Sequence, residues 1–138
     1  MQRAIGSLAS DAPAMALHAV KAGAARLGDE MESRAPELSG EFEGAIAKTM
    51  TMRQIGPTTV TVGPTHGMAS FVEFGGELTP TVAEKLVFQG DQGDVFAERV
   101  VMPASPFIRP AFDEGRAAAL EQVRRSAQRA IAQRGLRL

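Results

Sequence analysis

Pro103-Ala104-Ser105-Pro106-Phe107-Ile108-Arg109-Pro110-Ala111-Phe112-Asp113 is the stretch that decides the fold of this chain. Each proline fixes φ and removes a backbone donor, so the segment is expected to be a stiff connector that no strand can run through. A helix is expected beyond it, from about Pro110 to about residue 134. There Phe112, Ala119, Leu120, Val123, Ala127, Ala130 and Ile131 cluster on one side, while Gln122, Arg125 and Arg129 project from the other.

Upstream of the connector the pattern is that of short strands. Met50-Thr51-Met52-Arg53 alternates, Gly56-Pro57 is a turn, and Thr58 to Val62 alternates again, which predicts a hairpin. A second, longer hairpin is expected over about 84–101, from Lys85–Gln89 and Val95–Val101 around the turn formers Gly90-Asp91-Gln92-Gly93-Asp94. Between them, Phe71-Val72-Glu73-Phe74 before Gly75-Gly76 fits a strand or a helical turn equally well. At the other end, Ser10, Asp11 and Pro13 read as a helix start. Leu17, Val20, Ala24, Leu27 and Met31 then recur at 3-4-3-4 spacing to about Arg34, Pro36 ends the run, and Ser39-Gly40 opens a turn. The predicted class is α+β: one domain over 1–138, with an antiparallel sheet of about four strands packed against an N-terminal and a C-terminal helix.

Composition narrows the function classes. The 138 residues are 44% apolar and 22% charged, the ordinary balance of a globular chain. Ala12 to Val20, the longest uncharged, alanine-rich stretch, is far shorter than the roughly 18–20 residues of a spanning helix. Gly6, Ser7, Ser10 and Asp11 interrupt any signal-peptide core, so an intracellular product is expected. The chain has no cysteine, which removes disulfides, zinc–thiolate sites and thiol nucleophiles. It also has no Trp or Tyr, leaving seven Phe and two His for base stacking. Net charge is −1 but unevenly placed: Arg116, Arg124, Arg125, Arg129, Arg134 and Arg137 face only Glu121 in the last 23 residues. Such a basic segment is either a solvated helix face or a contact for nucleic acid or an acidic partner.

Little here suits catalysis. His18 and His66 have no acidic residue at ligand spacing. Asp91 and Asp94 around Gly93 lack the further oxygens of a calcium loop and read as turn residues. Glu73 between Val72 and Phe74 is either an acid with a raised pKa or an edge or interface residue, and no partner for acid–base work stands beside it in sequence. Neither a phosphate loop nor a dinucleotide fingerprint is present. No enzyme activity and no cofactor or metal are expected.

Several segments, in order, resemble the siphophage neck family, the head–tail joining or tail-completion proteins typified by gene product ten of a lambdoid coliphage. Ala35-Pro36-Glu37-Leu38-Ser39-Gly40 with Phe42 and Ala45-Ile46 is similar to the family's segment after its first helix, though Ser39 and Glu41 stand where the family has Thr and a basic residue. Val62-Gly63-Pro64 resembles its strand end, Ala69-Ser70-Phe71-Val72-Glu73-Phe74-Gly75 its most recognisable stretch, and Pro103 to Asp113 its approach to the last helix. The Glu77–Val101 insertion is longer than the family pattern and looks more like virion-morphogenesis proteins that serve tail completion.

The resemblance implies a structural virion protein, assembled in the host cytoplasm into a hexameric ring at the neck. Its implied partners are copies of itself, the head-completion or connector proteins, the tail-terminator or tail-tube proteins, and non-specifically the DNA in the channel, with no membrane. A ring closes only through two unlike surfaces on each subunit. Glu73, Phe74, Gly75, Gly76, Phe107 and Arg109 are the candidates for such contacts, with core packing as the rival role for Phe74 and Phe107. Arg124, Arg125 and Arg129 are candidates for the lumen or an acidic neighbour. A tail terminator capping the tube is the nearest alternative, and a small nucleic-acid-binding or regulatory module is the alternative from another class.

Overall fold

In a computed structural model, residues 2–36, 45–90 and 92–134 are described. The element order is α1 (Gln2–Arg34), α2 (Ala45–Lys48), β1 (Met50–Gln54), β2 (Val60–Pro64), α3 (Ala69–Phe74), β3 (Gly76–Leu78), β4 (Leu86–Gly90), β5 (Gly93–Ala97), β6 (Val100–Met102) and α4 (Ile108–Ala132). The class is α+β, with a long helix at each end and antiparallel strands between. The strands pair as three two-stranded ladders, β1–β2, β3–β6 and β4–β5, where the sequence pattern suggested one sheet. β3 is only three residues long and pairs along its whole length with β6.

α1 and α4 pack along each other, and α1 also carries the β1–β2 hairpin. The helices approach on small residues: Ala19, Ala24, Ala111 and Ala119 are buried, and a Cβ added at Gly23 would strike the Val123 side chain and stand 3.0 Å from the Ala119 carbonyl oxygen. A Cβ on Gly28 would likewise press on Val62 of β2. A second core lies under the other end of α1, where Ile46, Ala69, Val72 and Phe107 are buried with Ala35, Met50, Met102 and Ile108 around them.

Several expectations need correction. α1 starts at Gln2, well before Ser10, and runs through Pro13. A proline inside a helix sacrifices one backbone bond, at a cost of about 3 kcal/mol in isolation. Asp11 Oδ2 beside it accepts from Arg134 Nη2 at 2.9 Å, a link between α1 and the end of α4. The expected strand Val95–Val101 is broken at Glu98-Arg99. β6 leaves the hairpin to pair with β3, where Arg99 meets Glu77 at 3.8 Å. The 71–74 ambiguity resolves as helix, since Phe71–Phe74 close α3. In α4, Phe112 and Leu120 are 49% and 67% exposed instead of facing the core. The close seating on Gly23, Gly115 and Ala119 turns the larger side chains out beside the contact. The expected turn at Ser39-Gly40 and the loop residue Asp91 lie outside the described residues.

Candidate assembly surface

α3 and α4 meet through a carboxylate. The N-cap of α4, Phe107, has no side-chain oxygen to accept the first free amides of the helix, four of which every helix leaves without an intrahelical partner. Glu73 supplies what is missing. Its Oε2 accepts from the Phe107 and Ile108 amides at 2.8 and 2.9 Å, and its Oε1 from the Arg109 amide at 3.0 Å. The Arg109 guanidinium adds a looser contact, Nε to Oε1 at 3.9 Å. Burial pushes the Glu73 carboxyl up, but the three amides and Arg109 outweigh it and hold it below the usual carboxylate range. Glu73 thus serves as an ionised cap on backbone amides at neutral pH, although it is only 4% exposed.

Backbone geometry locks this junction. The Ser105 amide donates to the Val72 carbonyl at 2.8 Å, and the Gly75 amide closes α3 onto Phe71 at 2.7 Å. Gly75 has φ +70°, and a Cβ there would lie 2.8 Å from the Ala104 nitrogen and 2.9 Å from the Met102 oxygen. Only glycine satisfies both the left-handed turn and the close approach. His66 has a structural task nearby: its Nδ1 accepts from the Met68 amide at 3.2 Å, at the start of α3.

The capped junction presents an exposed pair. Phe74 is 68% exposed, and the Arg109 guanidinium lies 5.7 Å from its ring centroid, within cation–π range. The two border an open groove of about 640 Å³ that also takes in Met31, His66 and Phe112. A second groove, about 540 Å³, opens between α1, α4 and β2, lined by Val20, Leu27, Val62, Leu120 and Val123 with Arg116 at its rim. Phe112 borders both. Elsewhere the β4–β5 hairpin holds Val87 opposite Phe96, both more than half exposed, and Val95 exposed on the other face.

The arginines of α4 divide by partner. Arg124 and Arg125 share one carboxylate, each donating from Nε to Glu121 at 2.9 Å, which draws the Glu121 carboxyl down to about 2. Arg134 is taken by Asp11. Arg116 and Arg129 are exposed with no ion pair among the described residues, and Arg137 lies outside them.

The structure therefore brings five of the six expected contact residues, Glu73, Phe74, Gly75, Phe107 and Arg109, to one junction; Gly76 begins the adjoining β3. They do different things there. Phe107 is core and Glu73 is buried beneath the surface, while Phe74 and Arg109 face outward. Sequence reasoning missed the Glu73 cap, since its partners lie 34 to 36 residues downstream. It also missed the exposed row on α4, although the spacing of Gly23, Gly115 and Ala119 was a visible sign of close helix packing. Among the described residues no cluster of His, Asp and Glu is arranged to hold a metal ion, and no helix is long and apolar enough to cross a membrane.

The chain is α+β and turns large apolar side chains outward on α3, on α4 and on the β4–β5 hairpin. The model of the family described as "Bacteriophage HK97-gp10, putative tail-component" matches residues 1–75, more than half of the chain, and the chain belongs to that family. It is a structural component of a phage tail, carried in the virion. No curated protein and no solved structure matches it. The matched region ends at Gly75, so the Glu73 cap ties the family portion to a helix outside it.

Proposed function

We propose that this tail component works at the head–tail neck, as the subunit of a ring that joins the head to the tail or completes the tail. The observation that carries the reading is that the chain has two unlike apolar surfaces. One is the β4–β5 hairpin with Val87, Val95 and Phe96; the other is the helical face with Phe74, Phe112 and Leu120. Head-to-tail contact between unlike surfaces is what a cyclic assembly requires. The capped α3–α4 junction supports it further, because a rigid junction holds Phe74 and Arg109 in a fixed direction for a neighbour.

The α4 arginines favour a protein neighbour over DNA. Two of them already share Glu121, so the positive field available to phosphates is smaller than the sequence count suggests. Deleting the gene and imaging the particles by electron microscopy tests the assignment. DNA-filled heads separated from finished tails are the expected outcome. Heads bearing overlong tails would instead identify a tail terminator, and normally joined particles would overturn both.

A further inference from the structure

The β4–β5 hairpin and the groove between α1, α4 and β2 are separate apolar patches of this chain. Among the described residues the β4–β5 hairpin packs on no other element to any substantial extent, and a two-stranded ribbon alone is marginally stable in water. Val95 and Phe96 are neighbours in a strand and so point to opposite faces, which leaves apolar side chains uncovered on both. The charges around them are mostly acidic: Glu84, Asp94 and Glu98 are exposed beside Lys85, and Arg99 is engaged by Glu77.

The groove between α1, α4 and β2 has the reciprocal character. Its walls are Val20, Leu27, Val62, Leu120 and Val123, and its volume of about 540 Å³ is within the range of sites that enclose side-chain-sized apolar groups. Arg116, Leu120 and Arg124 are four residues apart and form one row along α4. Arg116 is the cation at this rim with no ion pair among the described residues; Asp113 stands three residues before it on the same side of α4, and Arg124 shares Glu121 with Arg125. No hairpin residue lines the groove of its own chain.

We propose that the β4–β5 hairpin of one copy seats in the α1–α4–β2 groove of the next, with Val87 and Phe96 against Leu120 and the acidic flanks of the hairpin facing Arg116 and Arg124. The inference rests on the ring reading and names its contact. It assigns the basic face of α4 to a second copy of this chain, and the exposed Phe112–Leu120 row to that copy's hairpin. Because hairpin and groove are different patches, each subunit donates to one neighbour and receives from the other.

The absence of cysteine makes the contact directly testable by disulfide trapping. Particles carrying Phe96→Cys and Leu120→Cys in the same chain, both at exposed positions, are oxidised and run on a non-reducing gel. A ladder of covalent multimers is expected. Particles from co-expressed single variants, one with each cysteine, should give dimers that neither variant gives alone. Ile55→Cys with Leu120→Cys, an exposed pair away from the hairpin, should give none. Wild-type particles treated with an amine-reactive cross-linker provide the second readout. Multimers with that reagent but none from the Phe96–Leu120 pair would overturn the hairpin contact and leave the ring standing. Monomer under both treatments would overturn the ring and the contact together. Should the double variant fail to enter particles, Arg116→Glu with Arg124→Glu replaces it: normal incorporation and an unchanged ladder with the amine reagent would sink the proposal.

Discussion

Glu73 on α3 accepts the backbone amide of Phe107 at 2.8 Å, so a carboxylate 34 residues upstream performs the capping that the α4 N-terminus cannot perform for itself. Substituting it leaves buried amides without an acceptor, and such unsatisfied donors cost about 1–3 kcal/mol each in mutational series. Glu73→Ala is expected to destabilise the chain by about 3 kcal/mol. Glu73→Gln, which keeps one acceptor oxygen, should cost about half as much. Urea midpoints at neutral pH measure both, and an Ala variant within about 0.5 kcal/mol of wild type would refute the capping account.

The same carboxylate sets a pH dependence. Its folded pKa is depressed, so its contribution is fully present above the unfolded value of about 4.3 and is lost as pH falls through the lower folded value. The stability gap between wild type and Glu73→Gln should therefore narrow as pH drops below about 4.3. Urea denaturation from neutral pH into the acid range checks this, and a gap that widens on acidification would contradict the sign.

Gly75→Ala is expected to destabilise by more than about 1 kcal/mol, from the positive φ and the collision with Met102 and Ala104 combined. Gly63→Ala is the control. No atom lies within 4 Å of its added Cβ, and its change should stay within about 0.5 kcal/mol. Thermal melts of the two variants make the comparison.

Phe74→Ser removes an exposed ring and the surface under Arg109, so folding stability should change by less than about 0.5 kcal/mol. Incorporation into particles should nevertheless fall sharply, since the proposed ring has this surface meeting a neighbouring subunit. A thermal melt paired with quantitation of the protein in purified particles separates the two effects. Unchanged incorporation would return Phe74 to the status of an ordinary surface residue.

The α4 arginines should not be equivalent. Arg116→Glu with Arg124→Glu, on the groove side, is expected to reduce incorporation. Arg125→Glu with Arg129→Glu is expected to leave it near wild type. If instead the second pair abolishes incorporation in a steeply salt-dependent manner, phosphate contacts in the DNA channel become the better explanation.

Much was legible from local pattern. The β1–β2 hairpin follows from alternation around Gly56-Pro57, and the body of α1 from its apolar recurrence to Arg34. The start of α4 follows from prolines that no strand interior accommodates. In each case the deciding energy is local: backbone steric limits, turn residues and the period of apolar side chains. Motif-level resemblance also singled out the stretch around Glu73 and the approach to α4 without revealing why they go together.

Tertiary structure decided the rest, because each remaining feature depends on atoms far apart in the chain. Pro13 argued for a later start to α1, yet the helix runs through it and Asp11 beside it meets Arg134. Phe71–Phe74 fitted strand or helix until the turn at Gly75 and the bond from Ser105 to Val72 placed it. Phe112 and Leu120 fit a core stripe by spacing and face outward because Gly23 and Ala119 bring the helices too close to admit them. The sequence by itself determined the helical and extended segments wherever the period of apolar residues was unambiguous. Only the fold decided which apolar residues the chain covers and which it leaves exposed, since coverage is a property of packing between segments and not of any segment alone.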